Sequence, residues 1–277
     1  MMLLFAHNYT LCMTLVGTSM LGFMAGALGV FVILRRQSLL GDAISHAALP
    51  GIVLGHMITK SMHPLILLCA GTLTGCFAIV CLLIIKRNTR LKLDAILGII
   101  LSVFFGIGLI LITRMERYGL PHFGFMNSFL FGNAATLLPA NILMIGILAI
   151  LVFTALIVCW KELKLLTFDP AHAQTLGYNV RFLDAVIMMA LVLTMVIGLQ
   201  TVGVILMSSL IIAPAAAARL WAKSLIGTVA LAAAIGLIAT TSGTLISCSI
   251  DHLPTGPTIV LIASSSVFLS LVIKKYA

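Results

Sequence analysis

The composition of this 277-residue chain is that of a membrane protein. Hydrophobic residues make up 62% of the chain and charged residues only 8%, and the mean hydropathy is +1.24. Soluble domains carry about 25% charged residues, so this chain has too few charges to cover a surface that faces water. The formal net charge of +9 does not indicate nucleic-acid binding, because the basic residues are gathered in short breaks between apolar runs.

Apolar runs of bilayer-spanning length follow one another along the chain. About 20 residues suffice to cross the hydrocarbon core, and we predict nine crossings in a single membrane domain over residues 1–277. The uncharged run 185–218 is too long for one crossing and is counted as two, because Gly198, Gln200, Thr201 and Gly203 interrupt its middle. The predicted crossings are 9–34, 39–57, 63–85, 93–113, 137–160, the two parts of 185–218, 224–250 and 253–273.

The basic clusters predict the orientation of these crossings. Two predicted crossings separate each cluster from the next, so all the clusters can lie on the cytoplasmic side, with the N-terminus outside and the C-terminus inside. Arg114 and Arg117 depart from this rule in the outer segment 114–136, where Glu116 partly offsets them. The clusters are Arg35-Arg36, Lys86-Arg87-Arg90-Lys92, Lys161-Lys164 with Arg181, Arg219-Lys223 and Lys274-Lys275.

Asp42 and His46 stand out as ionisable residues within an apolar run. Their four-residue spacing places both side chains on one face of a helix, and carboxylate and imidazole groups both ligate divalent transition metals. Ionisable groups inside a membrane are costly and usually functional. The structural alternative is that Asp42 caps its helix or pairs with Arg36, and that His46 is a satisfied buried group. Four histidines in the outer segments are weaker candidate ligands: His56, His63, His122 and His252.

A short, fully capped helix is predicted between two crossings at residues 169–177. Asp169 is a good N-cap and Pro170 suits the first helical position. Residues 171–176 favour helix apart from Thr175, and Gly177 suits the left-handed position that ends one. Because both ends are capped, we interpret the segment as a docking element rather than a passive turn.

Several sequence signatures are absent. The chain has no GxxxxGK[ST] loop, so it does not hydrolyse ATP by that route, and it has no HExxH or GxSxG motif of a protease or hydrolase. It does have closely spaced small residues, Gly22-x-x-x-Gly26 and Gly71-x-x-x-Gly75, which are typical of tight helix packing in membranes.

Three segments resemble the permease subunits of bacterial metal-ion ABC importers, the zinc, manganese and iron family. LLGDAISHAALPG at 39–51 resembles the second-helix signature, FDPAHAQTLG at 168–177 the segment before the sixth helix, and TVGVILMSSLIIAPAAAARL at 201–220 a later signature. The segments occur in the family's order, and length and hydropathy extend the resemblance over nearly the whole chain.

The resemblance implies an all-α fold like that of type II importers, with about eight or nine transmembrane helices, in the bacterial cytoplasmic membrane. Two such subunits, identical or paralogous, would form the pathway, and Asp42 and His46 match the positions implicated in holding the metal. The segment at 168–177 would be the coupling helix that docks on a cytoplasmic ABC ATPase. The residues that would make this contact are Asp169, Pro170, Ala171, His172, Leu176 and Gly177.

A separate extracytoplasmic binding protein would deliver Mn²⁺, Zn²⁺ or Fe²⁺ as the transported ion, and no permanent cofactor is expected. The chain would then be a transport subunit and not itself an enzyme. Two alternatives remain open from the residues: an ATP-independent secondary transporter or channel, and a membrane-embedded enzyme with Asp42 and His46 as an acid–base pair.

Overall fold

A computed structural model describes residues 2–60, 63–117, 129, 132, 137, 139–250 and 253–276, and all regular structure in these ranges is helical. Apolar sequence over most of the chain leaves the helix as the structure that satisfies its own backbone in lipid. The helices are α1 Met2–Leu34, α2 Leu40–Thr59, α3 Pro64–Asn88, α4 Leu93–Arg117, α5 Pro139–Val158, α6 Trp160–Phe168, α7 Pro170–Thr175, α8 Val180–Val202, α9 Val204–Trp221, α10 Leu225–Ser249 and α11 Thr255–Tyr276.

Nine of these helices match the nine predicted crossings in order, and each has at least 18 residues. Eight are apolar enough to span a membrane by length and composition, and α2 is the exception. In α2, 14 of the 20 residues are buried inside the protein. A helix shielded by its neighbours needs less hydrophobicity than one in contact with lipid, so the polar content of α2 fits an interior position.

The predicted interruption of the run 185–218 is confirmed, and the break falls at Gly203. This residue adopts φ +85° and ψ 169°, a conformation that only glycine reaches without strain. Gly198 then lies directly against the side chain of Met207, although nine residues of straight helix would separate them by about 13 Å. The chain therefore bends at Gly203, and the end of α8 lies against the start of α9.

The helices pack in two groups joined by α8. One group contains α2, which lies against α3 and α4, and the other contains α1, α9, α10 and α11. Helix α8 contacts members of both groups, and its side chains from Leu183 to Val202 are mostly buried. Helix α7 is joined by the short link 176–179 to α8, the helix that contacts both groups.

Close packing at small residues is also confirmed. A Cβ added to Gly22 would lie 2.6 Å from the carbonyl oxygen of Gly236 on α10, and Gly26 lies against the backbone of Ala232 on the same helix. Gly71 packs on Ile52 of α2 and Val196 of α8. These glycines let neighbouring backbones approach each other, as expected for helix contacts in a membrane.

Two features of the fold stand apart from the sequence predictions. The basic stretch that includes Lys161 and Lys164 is helical, as α6, where only a connection was expected. We also expect a loop and a short helix in the outer segment 114–136, and most of that segment lies outside the described residues.

Candidate functional site

The segment between α1 and α2 sets where α2 begins. Arg36 adopts a left-handed conformation with φ +55°, which reverses the chain, and the N–H of Gln37 donates to the carbonyl of Val32 at 2.9 Å. The N–H of Leu40 donates to the carbonyl of Gln37 at 2.9 Å, so α2 starts two residues before Asp42. The N-cap is Leu39, without a side-chain hydrogen bond. The alternative that Asp42 caps the helix is therefore wrong.

Asp42 lies in the first turn of α2, where the unpaired N–H groups of the helix favour a negative charge. Within the described part of the chain, Asp42 forms no ion pair. The ion pair found there joins Arg35 to Asp184. The alternative pairing with Arg36 is thus not found. The carboxylate is half-buried and remains available to a ligand.

His46 lies one turn later and is held by an aromatic contact. Its ring packs edge-to-face against Phe105 of α4, with 4.7 Å between the ring centroids and an angle of 74° between the planes. Its Nδ1 atom is buried and has no hydrogen-bond partner among the described residues. The structure therefore packs the His46 ring against α4 and leaves its buried Nδ1 without a hydrogen-bond partner among the described residues.

A row of positions on α2 is only partly covered by the surrounding helices. Asp42 and His46 are half-buried and Leu54 and Ile58 are exposed, while the intervening Pro50 is buried. These five positions are spaced by four residues, so they form a stripe that winds around the helix by about 40° at each step. Other side chains of the helix, such as Leu49 and Val53, are fully buried. The two candidate ligands therefore share the part of α2 that another molecule can reach.

An ion pair ties the approach to α2 to the start of α8. The guanidinium of Arg35 donates to the carboxylate of Asp184, and the Arg35 side chain is only 12% exposed. Asp184 lies one turn into α8, which follows α7. The pair thus joins the connection before the site to the helix that continues from the short capped segment.

The predicted caps of the short helix are confirmed in detail. A carboxylate oxygen of Asp169 accepts from the N–H of His172 at 2.9 Å, and Pro170 is the first helical residue. At the other end Gly177 has φ +84°, its N–H donates to Gln174 at 3.0 Å, and the N–H of Tyr178 donates to Ala173 at 3.1 Å. These two bonds form a Schellman motif.

The surface of this short helix is largely exposed. Ala173 is the buried residue of α7, while Phe168 before it and Leu176 after it are 62% and 57% exposed. Pro170, Ala171 and His172 are exposed as well. The short helix is therefore flanked at each end by an exposed apolar side chain.

The outer histidines do not assemble into a metal site within the described residues. His56 is buried near the end of α2 and His63 is exposed at the N-cap of α3, while His122 and His252 lie outside the described ranges. No three His, Cys, Asp or Glu side chains lie close enough there to hold a metal ion together. The chain in isolation therefore offers Asp42 and His46 as a two-ligand fragment.

Sequence reasoning did not identify Phe105, Arg35 or Asp184 as parts of this region. Phe105 is one of many apolar residues of α4, and nothing in its local pattern marks it as the neighbour of His46. Arg35 and Asp184 are 149 positions apart. The sequence feature that could have suggested this ion pair is that each charge lies at the end of an apolar run. A charge in that position is usually paired with a group on another helix.

Comparison with known proteins places the chain in a family. The model of the ABC 3 transport family matches residues 7–274. A manganese transport system membrane protein of Bacillus subtilis is 41% identical over 93% of this chain, which spans 59% of that relative's length. A zinc transport system membrane protein of Treponema pallidum is 39% identical over 96% of this chain and 89% of its own length.

Solved structures share the fold. PsaBC from Streptococcus pneumoniae, in complex with Fab, superposes with a TM-score of 0.82 at 31% identity, over 93% of this chain and 89% of that one. A transporter described as metal-chelate type, in an inward-facing conformation, has a TM-score of 0.67 at 16% identity, over 98% and 99%, and this likeness shows the fold alone. The chain is a multi-pass membrane protein that belongs to the ABC 3 transport family.

Proposed function

We propose that this chain is the permease subunit of an ATP-driven importer that moves a divalent transition metal ion into the bacterial cytoplasm. The observation that carries the proposal is the open stripe of α2, on which Asp42 and His46 lie one turn apart and half-buried. The names of relatives support the cargo class, since they include manganese, zinc and chelated-iron transport systems.

The donor set narrows the cargo. A carboxylate oxygen and an imidazole nitrogen suit Mn²⁺, Zn²⁺ and Fe²⁺, whereas thiolate ligands would favour Cu⁺ or Zn²⁺. Two ligands from one chain do not complete a metal site, and a second permease subunit with the same stripe would raise the number to four. We therefore place the ion in transit between two subunits, with manganese or zinc as the leading cargo and iron(II) third.

The proposed function requires two kinds of partner protein, an ATPase and a metal-binding protein. It has no nucleotide-binding loop of its own, so a cytoplasmic ATPase would supply the energy and would dock on α7 through the exposed Leu176 and its neighbours. A metal-binding protein outside the bacterial cytoplasmic membrane would deliver the ion. Closure of the ATPase would push α7, and α8 would transmit the movement through Asp184 and Arg35 to the connection that precedes α2.

The test is uptake of radioactive Mn²⁺ and Zn²⁺ by cells that carry Asp42→Ala or His46→Ala. Removing a ligand should weaken metal capture about tenfold or more, because even residues that only support ligands have effects of that size. Asp94→Ala is the matched control, since Asp94 is an exposed carboxylate in the first turn of α4. Membrane levels of each variant are measured by immunoblot. Uptake at the wild-type rate in both site variants would refute the ligand assignment.

Uptake under ATP depletion and substrate turnover by the isolated chain distinguish the importer from a secondary transporter or channel and from an enzyme. An ATP-dependent importer stops when cellular ATP is depleted, whereas a secondary transporter or channel continues under that condition. A membrane-embedded enzyme would turn over a substrate as the isolated chain and would lose that activity in Asp42→Asn. Metal uptake that ends with ATP depletion and a co-purifying ATPase would support the importer.

A further inference from the structure

A groove of about 690 Å³ lies between α3 and α8, at the end where α3 finishes and α8 begins. The wall is apolar and is formed by side chains such as Ile79, Val80 and Leu83 on α3 and Met188 and Met189 on α8. Val80, Leu83 and Met189 are 49%, 45% and 45% exposed. The apolar wall is thus open to the surroundings of the bundle rather than enclosed within it.

Three cations stand at one end of this groove. Lys86 and Arg87 belong to the last turn of α3, and Arg181 to the first turn of α8. None of the three has a carboxylate partner within ion-pair distance in the described ranges, and the only carboxylate of the lining, Asp184, is already paired with Arg35. The mouth therefore carries an uncompensated positive charge.

The length of the groove corresponds to one leaflet of a bilayer. Its lining runs along α3 from Cys76 to Arg87, and eleven helical steps of 1.5 Å give about 16 Å. The hydrocarbon core is about 30 Å thick, so the full lining matches about half of it, and its apolar part from Cys76 to Leu83 covers about 10 Å. The positive-inside rule places the three cations at the cytoplasmic surface, at the depth of the lipid headgroups.

We propose that this groove binds an anionic phospholipid of the cytoplasmic leaflet, with the phosphate at Lys86, Arg87 and Arg181 and an acyl chain along the wall. A free phosphate would use only the charged mouth and would leave the apolar wall empty. A second copy of the chain would bring like charges together across a two-fold contact. A basic pocket between membrane helices on the cytoplasmic side is where such headgroups bind.

Native mass spectrometry of the purified full chain tests the proposal, with phosphatidylglycerol and phosphatidylcholine supplied in equal amounts. The wild type should retain phosphatidylglycerol in preference. Replacing all three cations, K86Q/R87Q/R181Q, should reduce that preference roughly tenfold or more, since each cation near the surface contributes measurably to anionic-lipid binding. The matched control K164Q/R219Q/K223Q removes three exposed cations that lie outside the groove.

Two further arms identify what is bound. Glycerol 3-phosphate, which has the headgroup chemistry but no acyl chains, should not displace the lipid at equal concentration. Leu83→Gln, which places a polar group on the exposed wall, should lower retention while all three cations remain. Equal retention of the two lipids by the wild type, or equal losses in the groove variant and the control variant, would overturn the proposal. Displacement by glycerol 3-phosphate would show an anion site instead.

Discussion

At the scale of single residues, Gly22 allows α1 and α10 to approach closely. A Cβ at this position would lie 2.6 Å from the carbonyl oxygen of Gly236, and a backbone atom in a helix cannot move aside cheaply. We predict that Gly22→Ala destabilises the protein by about 1–3 kcal/mol, the usual cost of overpacking. Unfolding by denaturant in detergent micelles, followed by circular dichroism, measures it.

Gly106→Ala is the matched control for this substitution. Gly106 lies in the middle of α4, and a Cβ there would meet nothing within 4 Å. The alanine should therefore leave stability unchanged or raise it slightly, because alanine favours helix over glycine. Similar losses in the two variants would mean that Gly22 matters through helix propensity and not through the contact with Gly236.

The sequence predicts which residues share a helix face, but not which residues of other helices they contact. The reason is that these contacts join positions far apart in the sequence. The four-residue spacing was enough to place Asp42 and His46 on one face, and Gly22-x-x-x-Gly26 was enough to expect a close helix contact. The opposing surfaces, Phe105 in the first case and Gly236 in the second, depend on how distant helices pack. A single small or aromatic residue in an apolar helix does not indicate which other helix it will contact.

At the scale of the elements, α7 depends on its caps. A helix of six residues is far shorter than the ~12–15 residues that give marginal stability to an isolated helix. Asp169 satisfies the N–H of His172, and its removal should cost about 1 kcal/mol. If α7 docks on the ATPase, we predict that Asp169→Ala reduces both metal uptake and the amount of ATPase that co-purifies with the permease.

Asp169→Asn is the control for this prediction, because asparagine retains the oxygen that accepts the capping hydrogen bond and is an equally good N-cap. It should keep uptake and ATPase retention near the wild-type level. If asparagine proves as harmful as alanine, the carboxylate charge is needed in its own right, and the role of Asp169 as a cap does not explain the loss.

Features that depend on a short stretch of sequence are the more predictable ones among the helices. The caps of α7 lie within nine residues of sequence and follow from those residues alone, and the interruption that falls at Gly203 follows from a similarly short segment. Helix α6 was missed because its lysines suggest a connection between crossings, whereas Leu163 and Leu166 are buried and anchor it to the bundle. That anchoring is tertiary and has no counterpart in the local pattern.

At the scale of the whole molecule, the charge distribution predicts that α2 crosses the membrane. Eight helices qualify as spans by hydropathy and α2 does not, yet its 20 residues reach about 30 Å, the thickness of the hydrocarbon core. If α2 did not cross, the cluster at Lys86 and Arg87 would lie on the opposite side from Arg35 and Arg36. The positive-inside rule would then fail either for Arg35 and Arg36 or for every later cluster.

Cysteine labelling tests this topology in a variant whose six native cysteines are replaced. Lys60 ends α2 and Arg90 follows α3, and both are exposed, so a cysteine at either position is accessible to reagent. We predict that Lys60→Cys reacts with a membrane-impermeant maleimide in intact spheroplasts, whereas Arg90→Cys reacts only after lysis. Protection of Lys60→Cys until lysis would place both ends of α2 on the cytoplasmic side and would remove the membrane-spanning path along Asp42 and His46.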